Sequence, residues 1–68
     1  MNFNEALKRC RKLRKATQKQ VAQAVGVSET MYQYYEYGKN EPTVGVLIAL
    51  AKYFNVSLDY LCGLSDEP

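Results

Sequence analysis

Apolar residues recur at helical spacing in five segments of the chain, and short polar turns separate these segments. In the first segment, residues 3–15, the positions at i, i+3, i+4 and i+7 are Phe3, Ala6, Leu7, Cys10 and then Leu13 or Arg14. Charged residues lie between them. Such spacing places apolar side chains on one face of a helix. The pattern therefore predicts an amphipathic helix 1 whose opposite face is charged.

Start and stop signals indicate two further helices. Thr17 and Gln20 have the spacing of a capping box, in which each side chain binds the backbone N–H of the other residue. Gly26 ends this second helix, because glycine adopts the left-handed conformation of a helix end at no steric cost. Ser28 caps a third helix, which Gly38 ends in the same way. These signals therefore predict two short helices joined by a tight turn at Gly26.

Pro42 and Thr43 predict the start of a fourth helix. Its apolar face at helical spacing consists of Val44, Leu47, Ile48, Ala51 and Phe54. The apolar run over residues 44–50 is also compatible with a buried strand. The Thr43 cap and the periodicity through Phe54 favour a helix, which Asn55 ends.

A short fifth helix and a tail complete the chain. Ser57 caps a helix over residues 58–62, which Gly63 ends, and residues 65–68 are expected to be flexible. At 68 residues, 47% of them hydrophobic, the chain has room for one domain with one modest core. The prediction is an all-α, five-helix domain over residues 1–64, followed by the tail.

Cysteine usage and the N-terminal residues exclude several classes of protein. Cys10 and Cys62 lie far apart without metal-ligand spacing, and the chain contains no histidine. We expect Cys10 to be a small buried hydrophobic residue, Cys62 a partly buried thiol, and no metal, cofactor or disulfide. No leader-like segment begins the chain, and no run approaches the roughly 20 apolar residues of a membrane span. These features predict a cytoplasmic protein without membrane contact.

Basic residues are concentrated in one stretch, although the net charge is only +2. Seven of the nine basic residues lie there without an intervening acid: Lys8, Arg9, Arg11, Lys12, Arg14, Lys15 and Lys19. A one-sided cluster of this kind is typical of a domain that binds phosphates. A solvated helix face is the alternative interpretation of the cluster taken alone.

Helices 2 and 3 have the residues that a helix-turn-helix requires. Two helices that cross steeply through a short turn need a small contact residue, a turn glycine and apolar residues between them. Ala22 is the small residue and Gly26 the turn. The inward-facing set is predicted to be Val21, Val25, Val27, Tyr32 and Tyr35.

The matching segments run through almost the whole chain. They are Thr17-Gln18 through Ala22, Gly26-Val27-Ser28, Tyr35-Glu36, Gly38, Glu41-Pro42-Thr43, and residues 47–51 and 55–63. In the order and spacing of these segments, the chain resembles the Cro and repressor family of phage and bacterial regulators, often called the XRE family. The resemblance implies a lambda-repressor-like fold and sequence-specific binding of double-stranded DNA as a transcriptional regulator, in particular a repressor.

The resemblance also implies how DNA is bound. Helix 3 enters the major groove, while helix 2 lies across the backbone with its N-terminal amides and Gln18 on phosphate. With Tyr32, Tyr35 and Glu36 facing inward, the 100° helical step turns other residues outward. The candidate base contacts are Ser28, Glu29, Thr30, Gln33 and Tyr34. The candidate phosphate contacts are Arg9, Arg11, Arg14, Lys15, Gln18, Lys19, Tyr37, Lys39 and Asn40.

Individual base contacts follow from side-chain chemistry. Gln33 could pair with adenine or a phosphate, and Glu29 could accept a hydrogen bond from a cytosine amino group. Thr30 or Tyr34 could pack on a thymine methyl group. Helix 3 departs from the family pattern, because it contains no Arg or Lys and carries several tyrosines.

Two further contacts are expected. The resemblance implies an ion pair between Arg11 near the end of helix 1 and Glu36 near the end of helix 3. A small domain of this kind is also expected to bind DNA as a two-fold homodimer. The candidate dimer patch consists of Val44, Val46, Leu50, Tyr53, Tyr60 and Leu64. Core or scattered surface positions are the alternative interpretation of these residues.

An enzyme is the least supported class of protein. The chain lacks histidine, a nucleophile beside a base, a phosphate-binding glycine loop and paired carboxylates, and no small-molecule substrate is indicated. A protein-interaction module of the same fold, such as an antitoxin-like or anti-repressor partner, is the stronger alternative. The exposed tyrosines of helix 3 suit such an interface, whereas the basic cluster and Gln18 suit DNA.

Overall fold

The computed structural model describes all 68 residues. It contains five helices: α1 Phe3–Leu13, α2 Gln18–Val25, α3 Glu29–Tyr37, α4 Val44–Phe54 and α5 Leu58–Leu61. The predicted all-α, five-helix class is confirmed, and the apolar run over residues 44–50 is helical. No helix combines the length and the apolar character needed to cross a membrane.

Each helix begins at a polar side chain that accepts a hydrogen bond from a backbone N–H three residues further on. These N-cap residues are Asn2, Thr17, Ser28, Thr43 and Ser57. Thr17 forms the predicted capping box, since the backbone N–H of Thr17 donates to Oε1 of Gln20 at 2.8 Å. Because these bonds satisfy N–H groups that no helical carbonyl reaches, the caps fix where each helix starts.

The helix ends mostly follow the predicted stop signals. Gly26, Gly38 and Asn55 are left-handed, with φ of 80°, 79° and 56°. Helix α1 ends at Leu13, two residues earlier than predicted. Lys15 is itself left-handed, with φ of 58°, and turns the chain toward α2.

The core lies where α1, α2, α3, α4 and α5 converge. Its twelve buried apolar residues are Ala6, Leu7, Cys10, Val21, Ala22, Tyr32, Tyr35, Leu50, Ala51, Phe54, Tyr60 and Leu61. Each large member contributes about 1.5 to 3 kcal/mol to folding through burial. The predicted inward set of the helix-turn-helix is confirmed, with Val25 and Val27 packed at the edge of the core.

The predicted apolar face of α4 is partly wrong. Val44 and Ile48 are 73% and 39% exposed, whereas Leu50 is fully buried. Helix α4 is apolar around most of its circumference, so the spacing of apolar residues does not specify which side faces the core. Leu13, offered with Arg14 as the last apolar position of α1, is also exposed.

The candidate dimer patch is corrected by the same packing. Leu50 and Tyr60 belong to the core, and Tyr53 and Val46 pack against it. Of the six patch residues, only Val44 and Leu64 are largely exposed.

The two cysteines and the tail agree only in part with the sequence prediction. Cys10 is buried as expected, whereas Cys62 is exposed rather than partly buried, and both are free thiols. In the tail, which we predicted to be flexible, the carbonyl oxygen of Pro68 accepts a hydrogen bond from the backbone N–H of Ser57 at 2.8 Å.

Substitution of Gly63 by alanine should destabilise the domain more than the same change at Gly26. Both glycines have φ close to +80°, but a Cβ at Gly63 would overlap the carbonyl oxygen of Met1, whereas a Cβ at Gly26 meets no atom within 4 Å. We expect Gly26→Ala to cost about 1 kcal/mol and Gly63→Ala about 2 kcal/mol or more, measured by urea unfolding. Equal losses would contradict the close approach of the two backbone segments.

Candidate nucleic-acid interface

A buried ion pair joins the end of α1 to the end of α3. Nε of Arg11 donates to Oε2 of Glu36 at 2.6 Å, and Nη2 donates to Oε1 at 3.1 Å. Nη1 donates to the carbonyl oxygen of Ala16 at 3.2 Å. The side chains are 15% and 1% exposed. The predicted contact between Arg11 and Glu36 is present, in the bidentate geometry that makes such pairs strong and directional.

Two more donors bind the Glu36 carboxylate. The hydroxyl of Tyr32 donates to Oε2 at 2.5 Å, and Nε2 of Gln18 donates to Oε1 at 3.2 Å. Burial alone would raise the pKa of Glu36, but the hydrogen bonds from Arg11, Tyr32 and Gln18 outweigh it and hold that pKa below its ordinary value. Burial, and then the hydrogen bond to Glu36, raise the pKa of Tyr32. The carboxylate therefore stays ionised and orders side chains from three helices.

An open cleft of about 540 Å³ lies beside this ion pair, between α1, the start of α2, and α3. We call it the α1–α3 cleft. Its lining residues are Lys8, Arg11, Lys12, Ala16, Thr17, Gln18, Glu29, Glu36 and Tyr37. Since Arg11 neutralises Glu36, the remaining charges are two lysines against Glu29. The cleft thus has a net positive charge on its α1 side.

Lys8 and Lys12 are further candidates for phosphate contacts, and neither is among the predicted ones. Both are exposed and both line the α1–α3 cleft, opposite Gln18 and Glu29. Their four-residue spacing places them on one face of α1, next to Arg11. Once Arg11 is assigned to Glu36, this spacing is the signal that identifies them.

Two of the candidate phosphate contacts, Arg11 and Arg14, also bind groups of the domain itself. Nε, Nη1 and Nη2 of Arg11 each donate one hydrogen bond to Glu36 or Ala16, which leaves two of its five N–H groups for phosphate. Arg14 donates from Nη1 to the carbonyl oxygen of Tyr53, and its guanidinium carbon lies 4.3 Å from the centre of the Tyr53 ring. It therefore packs on α4 instead of lining the α1–α3 cleft.

The other candidate phosphate contacts occupy accessible positions. The exposed ones are Arg9, Lys15, Lys19, Tyr37, Lys39 and Asn40. Tyr37 lines the α1–α3 cleft and is 60% exposed. Nδ2 of Asn40 donates to the sulfur of Met31 at 3.4 Å, which places this loop side chain beside α3.

The candidate base contacts lie along the outer side of α3. Ser28, Glu29 and Thr30 are exposed at its start, although the Ser28 hydroxyl oxygen is occupied as the N-cap acceptor. Gln33 and Tyr34 are half-buried further along the helix. As predicted, Tyr32, Tyr35 and Glu36 face inward and are buried.

Neighbouring side chains hold both half-buried candidates in place. Nε2 of Gln33 donates to Oε1 of Gln18 at 3.3 Å. The ammonium of Lys39 lies 5.3 Å from the centre of the Tyr34 ring, within the range of a cation–π contact. The outer side of α3 therefore presents two supported polar or aromatic side chains beside a cationic cleft.

Two capped helices around a left-handed glycine, with the second helix exposed along one side, define a helix-turn-helix protein. A solved structure supports this class. The P22 c2 repressor, determined in complex with a synthetic operator, matches with a TM-score of 0.90 and 31% identity, over 96% of this chain and 98% of that one.

The chain belongs to the XRE, or Cro/C1-type, helix-turn-helix family of bacterial and phage transcriptional regulators, since the helix-turn-helix family model matches residues 7–61. It is 44% identical over 66 residues to YqaE, an uncharacterised HTH-type transcriptional regulator of Bacillus subtilis, covering 96% of this chain and 57% of that protein. It is 40% identical over 63 residues to the cryptic phage CTXphi repressor RstR of Vibrio cholerae, covering 93% and 56%. The chain spans just over half the length of these two curated relatives. It is also 38% identical over 61 residues to BcrR, an HTH-type transcriptional activator of Enterococcus faecalis, of which it covers 30%.

Removal of either partner of the ion pair should destabilise the fold. We expect Glu36→Ala to cost about 3 kcal/mol, the lower end of the range for a buried pair, because the Arg11 side chain is 15% exposed. The double variant Arg11→Ala/Glu36→Ala should lose less than the sum of the two single losses, since neither charge is then left unpaired. Urea unfolding measures all three values.

Glu41→Ala is the control for this cycle. Glu41 is an exposed acid in the loop before α4, so its removal should change the free energy of unfolding by less than about 0.5 kcal/mol. Additive losses in the cycle, or a cost for Glu36→Ala no larger than that for Glu41→Ala, would show that the pair does not stabilise the fold.

Proposed function

We propose that this protein is a sequence-specific DNA-binding repressor that inserts α3 into the major groove of operator DNA. The observation that carries the proposal is the exposed outer side of α3, which lies beside the lysines of the α1–α3 cleft. A helix fits the roughly 12 Å wide major groove. The names of RstR and the P22 c2 repressor support repression over activation.

Phosphate binding would come from both sides of α3. On one side, Lys8, Lys12 and the first backbone amides of α2 face the same cleft, and helix N-termini bind anions through free N–H groups. Gln18, at the start of α2, retains one amide hydrogen for a phosphate. On the other side, Lys39 and Asn40 follow α3 in the chain. These contacts give affinity and register but no sequence preference.

Base contacts would come from the outer side of α3. Glu29 would accept a hydrogen bond from a cytosine amino group, and Thr30 or the Tyr34 ring would pack on a thymine methyl group. Ser28 would lie close to the bases, because it directly precedes the first residue of α3. Each well-made base contact is worth about 1 to 3 kcal/mol of discrimination.

The binding unit would be a two-fold homodimer. One α3 contacts only a few base pairs, and two copies related by a two-fold axis would place their α3 helices in successive major grooves, about 34 Å apart. Val44 and Leu64 are exposed apolar side chains available for pairing.

The salt dependence of DNA binding tests the phosphate contacts. If about four phosphates are neutralised per monomer, log K against log salt should have a slope near −3.6 per monomer. Lys8→Ala and Lys12→Ala should each make the slope shallower by about 0.9, whereas Tyr34→Ala should weaken binding with an unchanged slope. Fluorescence anisotropy on a duplex selected from a randomised library provides the measurement.

Lys52→Ala is the matched control for the two lysines. Lys52 is equally basic and exposed but lies in the last turn of α4, outside the α1–α3 cleft. It should leave the slope unchanged. Equal effects of Lys52→Ala and Lys8→Ala would contradict the proposed face, and selection of no duplex at all would favour the protein-binding alternative.

Sedimentation tests the homodimer. At micromolar concentration with the selected duplex, we expect two protein chains per DNA molecule, bound to half-sites about one helical turn apart. Moving the half-sites apart by about 5 base pairs, half a helical turn, should abolish cooperative binding. One chain per duplex at saturation would count against the dimer.

A further inference from the structure

A continuous chain of hydrogen bonds runs from α1 to the outer side of α3. Arg11 donates to Glu36, Nε2 of Gln18 donates to the same carboxylate at 3.2 Å, and Nε2 of Gln33 donates to Oε1 of Gln18 at 3.3 Å. We call these four residues the amide relay. It starts at a buried charge and ends at a half-buried side chain next to the proposed DNA site.

The direction of every bond in the amide relay is set by the Arg11–Glu36 ion pair. A guanidinium can only donate hydrogen bonds, and an ionised carboxylate can only accept them. Gln18 must therefore turn its NH₂ group toward Glu36, which leaves its carbonyl oxygen facing Gln33. Gln33 must in turn direct its NH₂ group toward that oxygen. The reverse orientation of either amide would place two acceptor oxygens against each other.

This polarity defines what Gln33 offers to DNA. One of its amide hydrogens is used by Gln18, so the free groups are one N–H donor and the Oε1 acceptor. In the major groove adenine presents the complementary pair, an N7 acceptor and an N6 donor. Guanine presents two acceptors, and cytosine and thymine each present one matching group. Phosphate oxygens only accept and would face the Gln33 carbonyl oxygen unfavourably.

We propose that Gln33 is an adenine-specific contact whose amide orientation is fixed through Gln18 by the Arg11–Glu36 pair. The inference rests on the proposed function and adds a base identity to it. Gln18 acts as a positioning residue, because its effect on base choice passes through Gln33. A preorganised amide loses less conformational freedom on binding than a free one.

Selection from a randomised duplex library, followed by competition with all four bases at each position, tests the proposal. Wild-type protein should prefer adenine at one position of each half-site by about fivefold or more. Gln33→Ala should lose that preference alone and keep the salt slope. Gln33→Glu presents only acceptors and should change the preferred base there to cytosine, whose amino group donates.

Base analogues and a second variant separate direct contact from a general loss of structure. Purine, which lacks the N6 amino group, and 7-deazaadenine, which lacks N7, should each weaken wild-type binding about fivefold and leave Gln33→Ala unaffected. Gln18→Ala should relax the adenine preference with Gln33 still present. Gln23→Ala is the control, because Gln23 is an exposed glutamine of α2 outside the amide relay. Thermal unfolding verifies that each variant is folded.

The outcomes distinguish this inference from the proposed function. A wild-type protein that selects a duplex, with base preferences unchanged in Gln33→Ala or with guanine at the position that Gln33 affects, overturns the adenine contact and leaves DNA binding intact. An adenine preference that survives Gln18→Ala unchanged overturns the positioning role. Selection of no duplex by wild-type protein overturns both proposals.

Discussion

The ion pair between Arg11 and Glu36 is the interaction on which the arrangement of this domain depends. A buried carboxylate must be paired, and here it receives donors from α1, α2 and α3 itself. The three helices that form the α1–α3 cleft therefore meet at one charged group. Apolar packing alone would hold them together, but it would tolerate small rotations of α3 about its axis. Three directional hydrogen bonds from Arg11 and Gln18 to Glu36 restrict such rotations, and so they fix which side of α3 faces outward.

Local signals were enough to predict most of the fold. Caps such as Thr17 and Ser28 and stops such as Gly26 act through bonds to residues within four positions, so sequence spacing carries nearly all of the information. The orientation of α4 is different. Its residues are apolar on almost every side, and only its contacts with α2 and α5 determine that Leu50 is buried while Val44 is exposed. A uniformly apolar helix contains no local signal for that choice.

The sequence predicted only part of the candidate site. The inward and outward residues of α3 were separated correctly, because the Arg11–Glu36 contact implied by the resemblance places Glu36 on the inward side and the helical step then orients the rest. The basic cluster was harder to assign, since seven cations of similar type lie within twelve positions. Arg11 and Arg14 contact partners distant in sequence, Glu36 and Tyr53, which sequence spacing does not indicate. Lys8 and Lys12 are left facing the cleft, and no property of either lysine alone distinguishes them from their neighbours.

The groups around Glu36 do not change their protonation near neutral pH. The pKa of Glu36 is lowered and those of Arg11 and Tyr32 are raised, in each case away from neutrality. The chain contains no histidine that would change charge in that range. Changes of pH around neutrality therefore leave the charges and hydrogen bonds around Glu36 unchanged. The surface that we propose for DNA binding, which this network positions, would therefore keep its arrangement over that range of pH.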